Sequence, residues 1–230
     1  MINAILTYIY SALLWAYIIL FFALVPLFAF PFSLIFGLKR SFRMFFKLFV
    51  KAGLAAFCLT PSVSGIENLP SNKNVILVSN HTGLFDPFAL NAALPGFLNF
   101  IVFAKLLDNA YTWCAFRFSG VVIRHYGHSL SGSRAIISSL NAINGGDSFI
   151  LFPSERVIPE GTIDKISPGL YRIIQDTDAV ILPVHITGGL RFRFLQKPSR
   201  PKIVIGKPID KQRILYGRDE VIKKAIRNLG

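Results

Sequence analysis

Charge is missing from the first 38 residues of this 230-residue chain, and no acidic side chain occurs before Glu67. The uncharged stretch also lacks a basic leading region and is too long for a secretory signal peptide. Cysteine is scarce: only Cys58 and Cys114 are present. They lie far apart, without CxxC spacing or a nearby histidine pair, which excludes a disulfide framework and argues against a zinc site. Two buried reduced thiols are expected. Acid is scarce overall, with 12 Asp and Glu against 25 Lys and Arg, a net charge of +13. Such an imbalance favours anionic partners: lipid headgroups, nucleic acid or an acidic carrier protein. There is no internal repeat and no low-complexity segment.

Apolar residues dominate what remains. They make up 53% of the chain, and 22 of the 230 residues are Phe, a composition that points toward a membrane. As one straight helix the uncharged stretch would run roughly 55 Å, longer than the bilayer core. Pro26 and Pro31 punctuate it, so two helical pieces are expected, as a hairpin dipping into the bilayer or as one span plus an interfacial segment. Arg40, Arg43, Lys47 and Lys51 then recur at helical spacing, with Phe42, Phe45, Phe46, Phe49 and Val50 between them. This pattern suits a basic amphipathic helix on an anionic membrane surface, with its flank on the cytoplasmic side. Residues 1–60 are therefore read as an N-terminal membrane anchor and 61–230 as a separate domain.

After a Ser-, Gly- and Pro-rich boundary at Pro61 to Asn74, strand-like and helix-like stretches alternate. Strands are expected at Val75–Ser79, Phe100–Ala104, Gly120–Ile123, Ser148–Phe152, Ala179–Ile186 and Lys202–Ile205. Helices are expected at Asp86–Ala93, Leu106–Phe118, Ser131–Ile143, Pro168–Gln175 and Arg218–Asn228, with Asp86 as an N-cap before Pro87 and Ser131 or Ser133 opening its helix. The alternation predicts an α/β fold: a mixed, largely parallel sheet covered by helices, behind the N-terminal helical segment.

In such folds reactive groups gather where strands end. Asn80-His81-Thr82-Gly83-Leu84-Phe85-Asp86 follows one strand and precedes a helix. Histidine can act as a general base near neutral pH, and a carboxylate on its second ring nitrogen fixes the tautomer and supports the imidazolium. Alone, the His-x4-Asp spacing is a weak signal, because the chain holds four His and eight Asp. An Asp86 that only caps a helix and a His81 that only fills a loop fit the spacing equally well.

Further blocks change that balance. Gly65 to Pro70, then Val75 to His81, resembles the start of the glycerolipid acyltransferases, in which Asn-His-x4-Asp follows a strand. Gly120-Val121-Val122-Ile123-Arg124 resembles that family's second block, one residue shorter than its commonest form. Phe152-Pro153-Ser154-Glu155-Arg156 looks like the third, usually Phe-Pro-Glu-Gly-x-Arg. Here Ser154 stands where the family has Glu, and Glu155 where it has Gly. Ile181-Leu182-Pro183-Val184 is similar to the fourth. The resemblance covers roughly Gly65 to Asp210, and Lys165-Ile166 and Gly169 bring it nearest the acyltransferase portion of bacterial 2-acylglycerophosphoethanolamine acyltransferases.

That resemblance implies a membrane-bound enzyme moving a fatty acyl group from acyl-CoA or acyl carrier protein to the hydroxyl of a lysophospholipid or lysophosphatidate. It implies His81 as general base oriented by Asp86, with Asn80, Gly120, Arg124, Ser154, Glu155 and Arg156 on the substrate side. The arginine forks suit an acceptor phosphate. No acyl-enzyme, cofactor or metal is demanded; the acyl donor is a co-substrate. Membrane lipids are the expected partners, with the catalytic domain on the cytoplasmic face. Alternatives are a phospholipid transacylase, an acyltransferase for a non-phosphate acceptor, and a non-catalytic lipid-binding protein on the same scaffold. His125 and His128 lack a third metal ligand, and His185 reads as a core or pocket-lining residue. Arg191, Arg193, Lys197, Arg200 and Lys202, interleaved with Phe192 and Phe194, could suit nucleic acid, but beside the uncharged N-terminus a membrane or acidic-donor surface is the better reading, so no nucleic acid is expected.

Overall fold

The computed structural model describes residues 2–125, 129–154, 157–158, 162–189 and 199–230. Helices α1 (Ile2–Phe36) and α2 (Leu38–Ala56) form an antiparallel pair that reverses at Gly37, whose φ of 78° lies in the left-handed region that glycine tolerates. There follow β1 (Ser62–Ser64), β2 (Val75–Ser79), α3 (Asp86–Ala93), β3 (Leu98–Asn99), β4 (Ile101–Phe103), α4 (Ala110–Ser119), β5 (Val122–Arg124), α5 (Ser129–Asn144), β6 (Ser148–Leu151), α6 (Pro168–Gln175), β7 (Val180–Gly189), β8 (Ser199–Ile205) and α7 (Lys211–Arg227).

Six strands make the main sheet in the order β1-β8-β7-β2-β6-β3, and β4 and β5 pair separately. All pairings are parallel except β7 with β8. Strand β2 is buried along its whole length, as a continuous apolar run in a doubly covered sheet should be. Its side chains alternate between two cores. Val75 and Leu77 face the layer holding α1 to α4, while Ile76 and Val78 face α5, α6 and α7. The first core takes Phe21, Val25 and Ala29 from α1 and Phe42, Phe46 and Val50 from α2, so the N-terminal helices pack in one core with the sheet.

The sequence expectation needs correction at the N-terminus. Pro26 and Pro31 lie inside α1, which runs unbroken for 35 residues. Each proline removes one helical N–H, but burial of Val25 and Ala29, and edge-to-face contacts of Phe30 with Phe42 and Phe118 at 5.1 and 5.6 Å, hold the helix through them. Within α1, Thr7–Phe36 is long and apolar enough to cross a membrane, and 22% of its most apolar window is buried against the protein.

Two of the basic residues of α2 also differ from expectation, while Arg40 and Lys51 stay exposed. Arg43 turns inward, bonding Asp147 at 2.7 and 2.8 Å, the Ser119 carbonyl at 2.8 Å and Asn99 at 3.2 Å. Lys47 donates to the Leu94 and Gly96 carbonyls. These cations dock α2 onto the sheet edge rather than facing outward. The two thiols are free, but Cys58 is exposed and Cys114 only half-buried.

Candidate active site

The loop after β2 emerges at the carboxyl edge of the sheet, between β6 and β7. There His81 Nδ1 meets Asp86 Oδ2 at 2.9 Å. The same oxygen accepts the backbone N–H groups of Thr82 and Gly83 at 2.6 and 3.0 Å, and the Thr82 hydroxyl reaches Oδ1 at 3.2 Å. Asp86 is 3% exposed. Its carboxylate therefore does not cap its own helix, as expected from the sequence; it turns back and fastens the preceding loop. A carboxylate can only accept, so in a neutral imidazole the proton belongs on the Nδ1 facing Asp86 and the lone pair on Nε2.

Asn80 has a different place from the one expected. Its side chain is 1% exposed, donates to the Ile186 carbonyl at 2.9 Å and accepts the Ile186 N–H at 2.7 Å. Both polar atoms are occupied by β7, so Asn80 continues the sheet pairing for one more step and sets where His81 begins. The Ile158 N–H closes the other side of the loop on the His81 carbonyl at 2.8 Å.

The imidazole stacks on Phe152, with ring centroids 4.0 Å apart and planes 18° off parallel. Phe152 follows β6, so the first and third sequence blocks meet here. Arg124, at the end of β5, lines the same cavity of about 400 Å³ as His81, Phe152 and Ser154, with its guanidinium over the Phe103 ring at 5.7 Å. The fourth block runs beside β2, with Val78 paired to Pro183 and Ser79 to Val184. Four segments that are distant in sequence thus converge.

Gly120 does not join them. It ends α4 with a φ of 84°, and a Cβ there would stand 3.0 Å from Lys39 Cε and 3.4 Å from the Arg43 guanidinium. Its role is to end a helix beside α2. Ser154 is 7% exposed, and its hydroxyl has no hydrogen-bond partner among the described residues. It separates the His81 cavity from a second one of about 430 Å³ lined by Asp164, Lys165 and Ser167. Glu155, Arg156 and His128, and the run 191–197, lie outside the described residues. His185 packs against the end of α7, where burial pushes its imidazole below the usual range. Ser131 does not open α5. Its hydroxyl accepts the His125 N–H at 2.8 Å and so ties α5 to the residue that follows β5. The sequence does not single out Phe152, because nothing local says that its ring will face His81.

Known proteins share part of this sequence and its fold. The chain is 28% identical over 126 residues to a 1-acyl-sn-glycerol-3-phosphate acyltransferase of Borreliella burgdorferi, covering 53% of this chain and 49% of that protein. It thus spans about half the length of that curated relative. The crystal structure of the 1-acyl-sn-glycerophosphate (LPA) acyltransferase PlsC from Thermotoga maritima shares the fold, with a TM-score of 0.76 at 22% identity over 99% of this chain and 96% of that one. The family profile described as Acyltransferase matches residues 60–187, more than half of the chain and the whole stretch that carries the His81 loop, Arg124, Phe152 and the β7 clasp. On that match, with the fold and the four converging segments behind it, the chain belongs to the acyltransferase family.

Proposed function

We propose that this protein transfers a fatty acyl group from a thioester, acyl-CoA or acyl carrier protein, to the free hydroxyl of a lysophosphatidate or lysophospholipid at the cytoplasmic face of a membrane. The reading rests on the His81–Asp86 contact at 2.9 Å within a buried, backbone-fastened loop. His81 Nε2 takes the hydroxyl proton as that oxygen attacks the thioester carbonyl. The tetrahedral species collapses and expels sulfur, which recovers the proton from the imidazolium and leaves as a thiol. Asp86 positions the ring and supports its charge. General-base assistance of this kind is worth about 10²–10⁴-fold.

Arg124 supplies the acceptor-phosphate contact, since its fork suits a phosphate and it lines the cavity with His81. Ser154 faces the polar end of the substrate; for Glu155 and Arg156 of the same block, a substrate-side role follows from the sequence resemblance alone. The uncharged α1, with Ile19, Leu34 and Ile35 at 71%, 91% and 74% exposure, provides the membrane contact. Residues 1–60 act as the anchor and 61–230 as the catalytic unit.

The test uses purified protein in detergent micelles, labelled acyl-CoA or acyl carrier protein, and a panel of lyso-lipids. Wild type should transfer label to a phosphate-bearing acceptor, and His81→Ala should lose about 10²–10⁴-fold in rate. Equal transfer by both proteins would overturn the role of His81. Use of acceptors without a phosphate alone would overturn that of Arg124.

A further inference from the structure

Two cavities border Ser154. The first holds His81 and Arg124. The second, of about 430 Å³, is walled by Ile158, Ile166 and Pro168 and carries Asp164 and Lys165, both exposed. Acyl transfer at His81 gives this second space no task. Its wall is nevertheless tied to the reacting loop, because Ile158 also holds the His81 carbonyl through its N–H at 2.8 Å. Ser154 is 7% exposed, and its hydroxyl has no hydrogen-bond partner among the described residues. A buried hydroxyl left unpaired is costly, so a ligand that bonds it gains a partner already in place. Helix α6 opens onto the same space at Pro168, and Ser167 at its N-cap makes no side-chain capping bond. The positive end of that helix favours an anion, as Lys165 does.

We infer that the second cavity binds the phosphopantetheine arm of the thioester donor: Ser154 bonds an amide of the arm, while Lys165 and the start of α6 take its phosphate. The inference rests on the acyl-transfer reading and adds a donor subsite to it. The order of polar groups matches along ligand and cavity. The arm carries a phosphate at one end, two amides along its length and the thioester at the other end. The cavity offers a cation at its exposed rim, apolar walls, then one buried hydroxyl, with the His81 cavity on the far side of Ser154. Asp164 shares the rim; it opposes the phosphate and can accept the hydroxyl of the arm. Arg124 lies in the other cavity, so donor and acceptor phosphates have separate partners and both substrates are held at once.

Coenzyme A and acyl carrier protein present the same arm, and the experiment separates them. The full chain in detergent micelles is given acyl-CoA, acyl carrier protein or acyl-pantetheine, which lacks the phosphate. The carrier with the higher kcat/KM names the source. With that carrier, Lys165→Glu should raise the donor KM about fivefold and leave the acceptor KM unchanged. With acyl-pantetheine the same variant should match wild type. Ser154→Val should raise the donor KM about fivefold with all three donors, and Ser154→Thr, which keeps a hydroxyl, should restore it. Lys165 is exposed, so its variant tests the subsite even if Ser154→Val does not fold.

A second readout does not depend on turnover. In equilibrium dialysis, labelled 4′-phosphopantetheine should bind wild type, and bind Lys165→Glu about fivefold more weakly. Donor KM and phosphopantetheine affinity that are both unchanged in Lys165→Glu overturn the subsite. A rise in acceptor KM in place of donor KM gives the cavity to the acceptor and overturns it as well. If wild type transfers acyl groups to no acceptor, yet binds phosphopantetheine in a way that depends on Lys165, the acyl-transfer reading fails and the subsite stands.

Discussion

At the scale of single residues, the loop from Asn80 to Asp86 is fastened on both sides of His81, the residue proposed to react. Asn80 and Asp86 hold: one clasps Ile186, the other gathers two backbone N–H groups and the imidazole. Asn80→Ala would leave the buried Ile186 N–H and C=O without partners, and should cost about 2 kcal/mol of stability in denaturant unfolding. KM for the acceptor should change little, because the amide does not reach the cavity. Asp86→Asn keeps the shape but can donate where the carboxylate only accepts, so it favours the wrong imidazole tautomer. A fall in kcat of about 10²–10⁴-fold is expected, together with a changed pH–rate profile; an unaltered profile would reduce Asp86 to a loop fastener. The pair itself was legible in the sequence, as a histidine and an aspartate at a strand end. The Asn80 clasp was not, because its partner is the backbone of Ile186 on β7, more than 100 positions away.

At the scale of elements, helix α2 shows where pattern reading succeeds and where it stops. Spacing identified the helix and its basic residues. It could not say which way Arg43 points, because the answer lies in Asp147, on the loop before β6. Burial by itself would push the Asp147 carboxyl up, but hydrogen bonds and charge from Arg43 and Lys39 outweigh it and bring it down to about 2. A carboxyl lowered on folding contributes stability above its unfolded value, near 4. That contribution is lost as pH falls through about 2. Asp147→Asn should therefore lower stability at neutral pH by about 1–2 kcal/mol, the exposed Lys39 adding little. The gap between variant and wild type should close between about pH 4 and 2.

Other elements separate along the same line. Helices α3 and α6 fall at their expected bounds, because Pro87 and Pro168 occupy first-turn positions. Strand β1 was hidden in a Ser- and Gly-rich stretch that reads as loop. It exists because β8, about 140 positions later, supplies its partner. The expected helix Leu106–Phe118 is divided at Asn109, whose side chain accepts the Thr112 N–H at 2.9 Å and starts α4 afresh.

At the scale of the whole molecule, the layered architecture was readable from the alternation of strands and helices, but the joining of its parts was not. Nothing local shows that Phe42 and Phe46 will share a core with Leu182 and Ile203. One face of α1 is committed to that core and the other is bare. Ile19→Glu and Leu34→Glu, on the bare face, should leave the unfolding midpoint unchanged while weakening co-sedimentation with anionic lipid vesicles tenfold or more, in line with the cost of placing a charge among acyl chains. Unchanged vesicle binding would remove α1 from the membrane contact.

The shared core also has a consequence for how the chain is made. Helices α1 and α2 leave the ribosome well before Val184, Ile186, Ile203 and Ile205, which close their core, have been added. At about 5–20 residues per second, the inner faces of the two helices wait roughly 8–30 s for their cover. A newborn chain of this design needs an apolar surface to shelter on in the meantime. On the membrane reading proposed above, the bilayer would shelter these faces until the sheet is complete.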